Sequence, residues 1–183
     1  RLEKYCNNIQ MVFNFPILED NFLCHKKTNN INTFVYAGLV SDIWNHDVLI
    51  NALNILKNAK YLLAGPIEND YFDELKSLEG WKYSQATAGI ALLGYIELTK
   101  NKIGNLSNTK LFEYMMSGLP VICTDFELWK EIINDYDCGI CVNPYNSKSV
   151  ANAIKLLEEN PERAKTMGEN GRRAVEEKYN WGR

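Results

Sequence analysis

Lys110 and Glu113 stand three residues apart at the start of a predicted helix, and they are the side chains best placed for chemistry. Residues at this spacing lie on one face of a helix. The free N–H groups and positive dipole end of a helix N-terminus favour an anion, most often a phosphate. A lysine and a carboxylate there can hold a diphosphate and a ribose. The alternative is an ordinary surface ion pair, and the spacing alone leaves both interpretations open.

A strand, a loop, a helix and a second strand must position this pair. The apolar run Ala88–Leu93 predicts a buried strand, and a functional loop of about twelve residues follows. Ser107 or Asn108 can cap the helix Thr109–Ser117. Val121–Cys123 then forms the second buried strand. Two buried strands joined by one helix form a parallel βαβ unit, whose ligands bind beyond the carboxyl ends of the strands.

The rest of the chain continues this alternation. Further strands are predicted at Thr33–Ala37, Tyr61–Ala64 and Gly139–Val142, and further helices at Asn45–Asn58, Asp70–Leu78, Glu127–Asn134, Ser147–Glu158 and from Pro161 towards Lys178. Gly38 and Gly65 directly follow the first two strands, where the backbone can make a tight turn or a close approach. Strands that alternate with helices predict an α/β fold, with a parallel Rossmann-like sheet covered by helices on both faces.

Composition narrows the function classes. The chain has 183 residues, 46% of them hydrophobic, so it can bury a sizeable core as one domain. Its net charge of −3 argues against a general nucleic-acid binder. No apolar run reaches the roughly 20 residues of a membrane span, and no signal peptide is visible. The sequence lacks a GxGxxG fingerprint, a P-loop and a GxSxG elbow.

Five cysteines fit a reducing compartment better than a disulfide scaffold. Cys138 and Cys141 have the CxxC spacing of zinc and redox sites. The two histidines, His25 and His46, are far away in sequence, and a strand ending rather than a helix follows the pair. We therefore interpret these cysteines as structural and predict no metal site.

Several segments together resemble the retaining glycosyltransferases of family four ("group 1"), which have the GT-B fold. SNTKLFEYMMSGLPVICTDF is similar to their donor-site segment. FVYAGLV with NHDVLINALNIL resembles their first strand, glycine loop and helix, and YLLAGP resembles their second strand and glycine turn. SQATAGIALL and the stretch from GICVNP to ENGRR resemble later elements, and NFP resembles the interdomain linker.

The resemblance implies two Rossmann-like domains with the active site between them, and this chain would be the C-terminal, donor-binding one. Residues 1–20 would be the end of the N-terminal domain and the linker, 21–178 the nucleotide-sugar-binding domain, and 179–183 the start of the crossover back. Lys110 and Asn105 would be the catalytic residues. The donor would contact seven positions: Gly38, Gly65, Asn108, Thr109, Lys110, Leu111 and Glu113.

The sequence departs from the family pattern in three places. Asn105 stands where the first glutamate of the family's Glu–seven residues–Glu motif belongs, and Glu113 is the second. The usual basic pair falls on Leu39 and Trp44, so Lys100, Lys102 or Lys110 would supply the positive charge. The segment 80–87 is too short for the expected strand and helix, which suggests that residues are missing near positions 83–84.

The resemblance implies transfer of a sugar from a nucleotide-diphosphate sugar to a glycan or lipid-linked acceptor held by the missing domain. The expected setting is polysaccharide synthesis in the cytoplasm, free or peripherally at the inner face of the membrane, without a cofactor or nucleic acid. The departures also motivate a second hypothesis, a non-catalytic GT-B-like module that binds a ligand or a partner.

Overall fold

The computed structural model describes residues 31–56, 59–65, 88–95 and 102–180. Its centre is a parallel sheet of five strands in the order β2-β1-β3-β4-β5. The strands are β1 (Thr33–Ala37), β2 (Lys60–Ala64), β3 (Ala88–Ala91), β4 (Val121–Thr124) and β5 (Gly139–Val142). The order reverses beside β1, because β2 lies on one side of it and β3 on the other.

The strands form where the sequence is apolar without alternation. Every residue of β3 and β4 is buried, which is the pattern of a parallel sheet covered on both faces. Phe34 of β1 pairs with Ala88 of β3, and Ile90 pairs with Ile122 of β4. This register brings the carboxyl ends of β1, β3 and β4 to one edge of the sheet.

Five α-helices and one short 3-10 turn are described. The helices are α1 (His46–Ile55), α2 (Thr109–Met116), α3 (Glu127–Tyr136), α4 (Ser147–Glu159) and α5 (Pro161–Glu177), and the turn is Asp42–Trp44. Four predictions lie outside the described residues. They concern the helix Asp70–Leu78, the missing residues suggested near positions 83–84, the linker in residues 1–20 and the role of Lys100. None of the described helices is long and apolar enough to cross a membrane.

The helices cover both faces of the sheet. Helix α1 packs against α4, whereas α2 packs against α5, which also contacts α3. Right-handed crossovers place α1 on one face and both α2 and α3 on the other, because the sheet grows in opposite directions from β1. The predicted fold class is therefore confirmed. In such sheets the crevice where the strand order reverses is the usual ligand site.

Candidate functional site

The N-terminus of α2 opens at this crevice, and Asn108 caps it. The side-chain oxygen of Asn108 accepts a hydrogen bond from the backbone N–H of Lys110 (3.1 Å). Of the two residues predicted as possible N-caps, Ser107 and Asn108, the structure shows Asn108 in this role. The backbone N–H of Lys110, one of the groups at this helix N-terminus, is therefore bonded to the cap.

Tyr114 fixes α2 against the end of β1. Its hydroxyl accepts a hydrogen bond from the backbone N–H of Ala37 (2.9 Å), and its buried ring lies directly against Gly89 of β3. Burial, the largest influence, raises the pKa of Tyr114, so its hydroxyl stays protonated. The contact joins the helix to the two strands that border the crevice, and it sets how far Lys110 lies from the end of β1.

The Lys110 side chain reaches across the crevice and rests on aromatic rings. Its ammonium nitrogen lies 4.4 Å from the centre of the Trp44 ring and 5.3 Å from that of Tyr36. Partial burial lowers the pKa of Lys110, and the negative charge of Glu113 opposes this shift. Among the described residues Lys110 forms no ion pair, either with Glu113 or with another carboxylate. The surface ion pair that the spacing allowed is therefore not formed.

His46 lies against the Tyr36 ring without adding charge. It is 1% exposed, its ring meets Tyr36 edge-on at 4.6 Å, and its Nδ1 shares a hydrogen bond of 2.6 Å with the hydroxyl of Tyr61. Burial, followed by the nearby charge of Lys110, lowers the pKa of His46 to about 3. The imidazole is thus neutral at physiological pH, and the positive charge at this place is that of Lys110.

Gly38 and Gly65 shape the floor of the crevice. Both have positive φ angles, 135° and 140°, which residues with a side chain rarely adopt. A Cβ on Gly38 would lie 2.6 Å from Cε of Lys110, and a Cβ on Gly65 would lie 2.1 Å from the carbonyl oxygen of Gly38. Gly38 therefore lets the lysine approach, and Gly65 lets the two loops touch.

Glu113 and Asn105 lie on either side of the α2 N-terminus, and both are exposed. Asn105 uses its side-chain oxygen locally, accepting hydrogen bonds from the backbone N–H (3.1 Å) and the hydroxyl (2.6 Å) of Ser107. Its role as a catalytic residue stays a prediction, as do the donor contacts of Thr109, Leu111 and Glu113.

The segment that carries Asn105 is held by the N-terminus of α3. The first two amides of that helix donate to the carbonyls of Lys102 (2.7 Å) and Ile103 (3.1 Å). The indole N–H of Trp129 donates to the carbonyl of Asn105 (2.8 Å). The two backbone bonds satisfy amides that a helix N-terminus otherwise leaves free. All three bonds hold the segment that leads into α2.

Asp125 joins the ends of β3, β4 and the loop before α2. It accepts a hydrogen bond from the hydroxyl of Tyr95, and the ammonium groups of Lys102 and Lys130 each lie 3.5 Å away. Partial burial opposes ionisation of Asp125, but the Tyr95 hydrogen bond and the two lysines outweigh it and lower the pKa. Lys102, one of the lysines predicted to serve the donor, is therefore engaged by a carboxylate, whereas Lys110 is not.

The sulfur contact of Cys141 is with Cys123 rather than with its CxxC partner Cys138. The sulfur of Cys141 lies 3.7 Å from that of Cys123 on the neighbouring strand, and Cys138 is buried. No group of three or more histidine, cysteine, aspartate or glutamate side chains in the described part of the chain could hold a metal ion.

The structure thus brings Gly38, Lys110 and the α2 N-terminus together at one crevice. Sequence reasoning missed Trp44, Tyr36 and His46 as neighbours of the lysine. In the sequence, Trp44 stands out only as a position where the family pattern has a basic residue. The one signal in the sequence is the concentration of aromatic residues just before and after the glycine that follows β1.

One protein-family model matches the segment that begins at α2. Residues 109–174, less than half of the chain, match the model of the family described as "Glycosyl transferases group 1". The match begins at the first residue of α2 and includes Lys110 and Glu113. No curated protein matches the sequence significantly.

Solved structures share the fold at low sequence identity. The C-terminal domain of the group 1 glycosyl transferase LpcC from Francisella tularensis is 18% identical, with a TM-score of 0.62, 82% of this chain and 87% of that one covered. Sucrose-phosphate synthase from Thermosynechococcus elongatus is 18% identical, with a TM-score of 0.67 and coverage of 85% and 43%. Anabaena HepE, solved with UDP and glucose, is 18% identical, with a TM-score of 0.65 and coverage of 83% and 45%.

At this level of identity the likenesses show the fold, and the first of them is to an isolated C-terminal domain. The chain spans nearly all of the isolated LpcC domain and less than half of the two longer proteins.

Proposed function

We propose that this chain is the C-terminal, donor-binding domain of a retaining glycosyltransferase of family four, which uses a nucleoside-diphosphate sugar. One observation carries the proposal: the ammonium of Lys110 lies without a carboxylate partner among the described residues, beside Gly38 and at the N-terminus of α2. Such a cation, next to a positive helix end at the strand-order reversal, suits a diphosphate.

The proposed roles follow from this geometry. Lys110 and the amides of Thr109 and Leu111 bind the diphosphate, and Glu113, one turn further along α2, bonds the ribose hydroxyls. In the reaction, the bond between the anomeric carbon of the sugar and the diphosphate oxygen breaks, and a bond to an acceptor hydroxyl oxygen forms. The leaving diphosphate takes up the hydroxyl proton. Lys110 stabilises the charge that develops on the leaving group.

The wider setting is also a proposal. The acceptor, a glycan or a lipid-linked sugar, would bind mainly to an N-terminal domain, and the reaction would belong to polysaccharide synthesis at the cytoplasmic side of a membrane. Two similar structures support the donor and acceptor parts of this proposal. HepE was solved with UDP-glucose, and a TarM variant from S. aureus was solved with UDP and α-GlcNAc-glycerol.

Calorimetric titration of the chain with UDP and GDP, with uridine and guanosine as controls, tests this proposal. We expect one of the two diphosphates to bind, and the matching nucleoside to bind more weakly, because the nucleoside lacks the groups that Lys110 and the helix end would hold. Folded chain that binds neither diphosphate would contradict the proposal.

A second candidate function is a non-catalytic GT-B-like module, and Asn105 favours it. An amide replaces the first glutamate of the family motif, and its oxygen is engaged with Ser107. A transfer assay on the full-length protein discriminates the two functions. Sustained formation of glycosylated product supports the enzyme, whereas nucleotide binding without turnover supports the module.

A further inference from the structure

The place of Trp44 is set by hydrogen bonds of its two neighbours in sequence, Ile43 and Asn45. The carbonyl of Ile43 accepts a hydrogen bond from the N–H of Gly94 (2.8 Å). The side-chain amide of Asn45 donates to the carbonyl of Leu92 (2.9 Å). Both bonds tie the turn Asp42–Trp44 to the segment that follows β3, so the indole is presented at the crevice between β1 and β3. Trp44 is only 7% exposed.

The indole holds the Lys110 ammonium without neutralising it. A carboxylate partner could also hold the lysine, as Asp125 holds Lys102. The negative charge of such a carboxylate, however, would repel an incoming diphosphate. The face of an aromatic ring attracts a cation through its quadrupole and carries no net charge. Among the described residues, Trp44 is the nearest such face, with its ring centre 4.4 Å away, and Tyr36 is the second at 5.3 Å.

We propose that Trp44 is a positioning residue for the diphosphate subsite: it holds Lys110 over Gly38 in the orientation in which the ammonium meets the phosphates. The inference rests on the proposed donor-binding function. It gives a physical role to the position where the family resemblance predicts a basic residue. Among the described residues, Lys110 is the cation at this place, and the aromatic ring supplies its orientation.

A double-mutant cycle with Trp44→Leu and Lys110→Met tests the inference, with binding of UDP and of uridine to the 183-residue chain measured by calorimetry. If GDP proves to be the better ligand, GDP and guanosine take their place. We expect Trp44→Leu to weaken diphosphate binding by about threefold to tenfold, the range of a partly desolvated cation–π contact. Nucleoside binding should not change. Trp44→Phe should restore part of the affinity, and Trp44→Leu should cause no further loss when Lys110 is already methionine.

Equal losses for diphosphate and nucleoside, or the same loss in both lysine backgrounds, would show that Trp44 only supports the fold and would overturn the inference. Its failure is distinct from that of the proposed function. If Lys110→Met weakens diphosphate binding but Trp44→Leu does not, the inference alone fails. If Lys110→Met binds the diphosphate like the unmodified chain, the proposed diphosphate site fails as well.

A measurement on the unmodified chain keeps the inference testable if Trp44→Leu does not fold. The indole ring current should shift the NMR signals of the Lys110 ε-methylene protons upfield of those of the exposed Lys155. Lys110 signals at the position of an exposed lysine would show that the ring does not hold the side chain, and would overturn the inference.

Discussion

Replacing Lys110 with methionine should weaken binding of UDP, or of GDP if that is the ligand, by about 30-fold or more. Methionine keeps most of the length and apolar contact of the side chain but removes the ammonium. Losing one partner of a desolvated, charge-assisted contact costs about 2 kcal/mol or more, which corresponds to this factor. Calorimetric titration of the variant gives the affinity, and binding of the matching nucleoside should stay close to that of the unmodified chain.

Lys155→Met is the matched control for this experiment. Lys155 lies on α4 with 60% of its side chain exposed, and it pairs with Glu159 one turn away. The substitution removes the same charge, so it reports any general effect of net charge on nucleotide binding. Equal affinities for Lys110→Met and the unmodified chain, or equal losses for the two methionine variants, would contradict the site.

The stability of the chain should fall by about 2 kcal/mol between pH 7 and pH 5 on account of His46 alone. Burial and Lys110 lower the pKa of His46 to about 3 in the folded chain, whereas an unfolded histidine has a pKa of about 6.5. Because the unfolded state binds the proton first, the stabilisation is complete above pH 6.5 and is lost as the pH falls from 6.5 towards 3. Urea unfolding at pH 5, 6 and 7 measures the change.

His46→Gln isolates this contribution, since glutamine is polar and does not titrate. The variant is expected to lose the part of the pH dependence between pH 5 and 7 that His46 causes, whatever its absolute stability. His25, the other histidine of the chain, is unchanged in both proteins and cancels from the comparison. Parallel pH profiles for the variant and the unmodified chain would show that His46 has the same pKa in the folded and unfolded states, which would contradict the prediction.

The fold could be predicted from the sequence because its signals are local. Apolar runs followed by glycine or proline marked the strands, and the observed bounds of Thr33–Ala37 and Gly139–Val142 agree with the predicted ones. The predicted strand Ala88–Leu93 ends two residues earlier, at Ala91. Beyond that residue the backbone turns to other partners, such as the side-chain amide of Asn45, which bonds the carbonyl of Leu92.

The surroundings of Lys110 could not be predicted, because they depend on contacts between distant parts of the chain. Spacing placed Lys110 beside Glu113, and only the packed sheet shows that the ammonium turns instead to Trp44. The same holds for the loop before α2. Its carbonyls bond the amides and the Trp129 indole of α3, and backbone carbonyls carry no sequence signature.

A crystal structure of the chain grown with the diphosphate that binds, UDP or GDP, tests the central claim most directly. The account predicts a phosphate oxygen about 3 Å from the ammonium nitrogen of Lys110, at the N-terminus of α2, with the ribose hydroxyls at Glu113. A nucleotide bound elsewhere, with no phosphate beside Lys110, would contradict it.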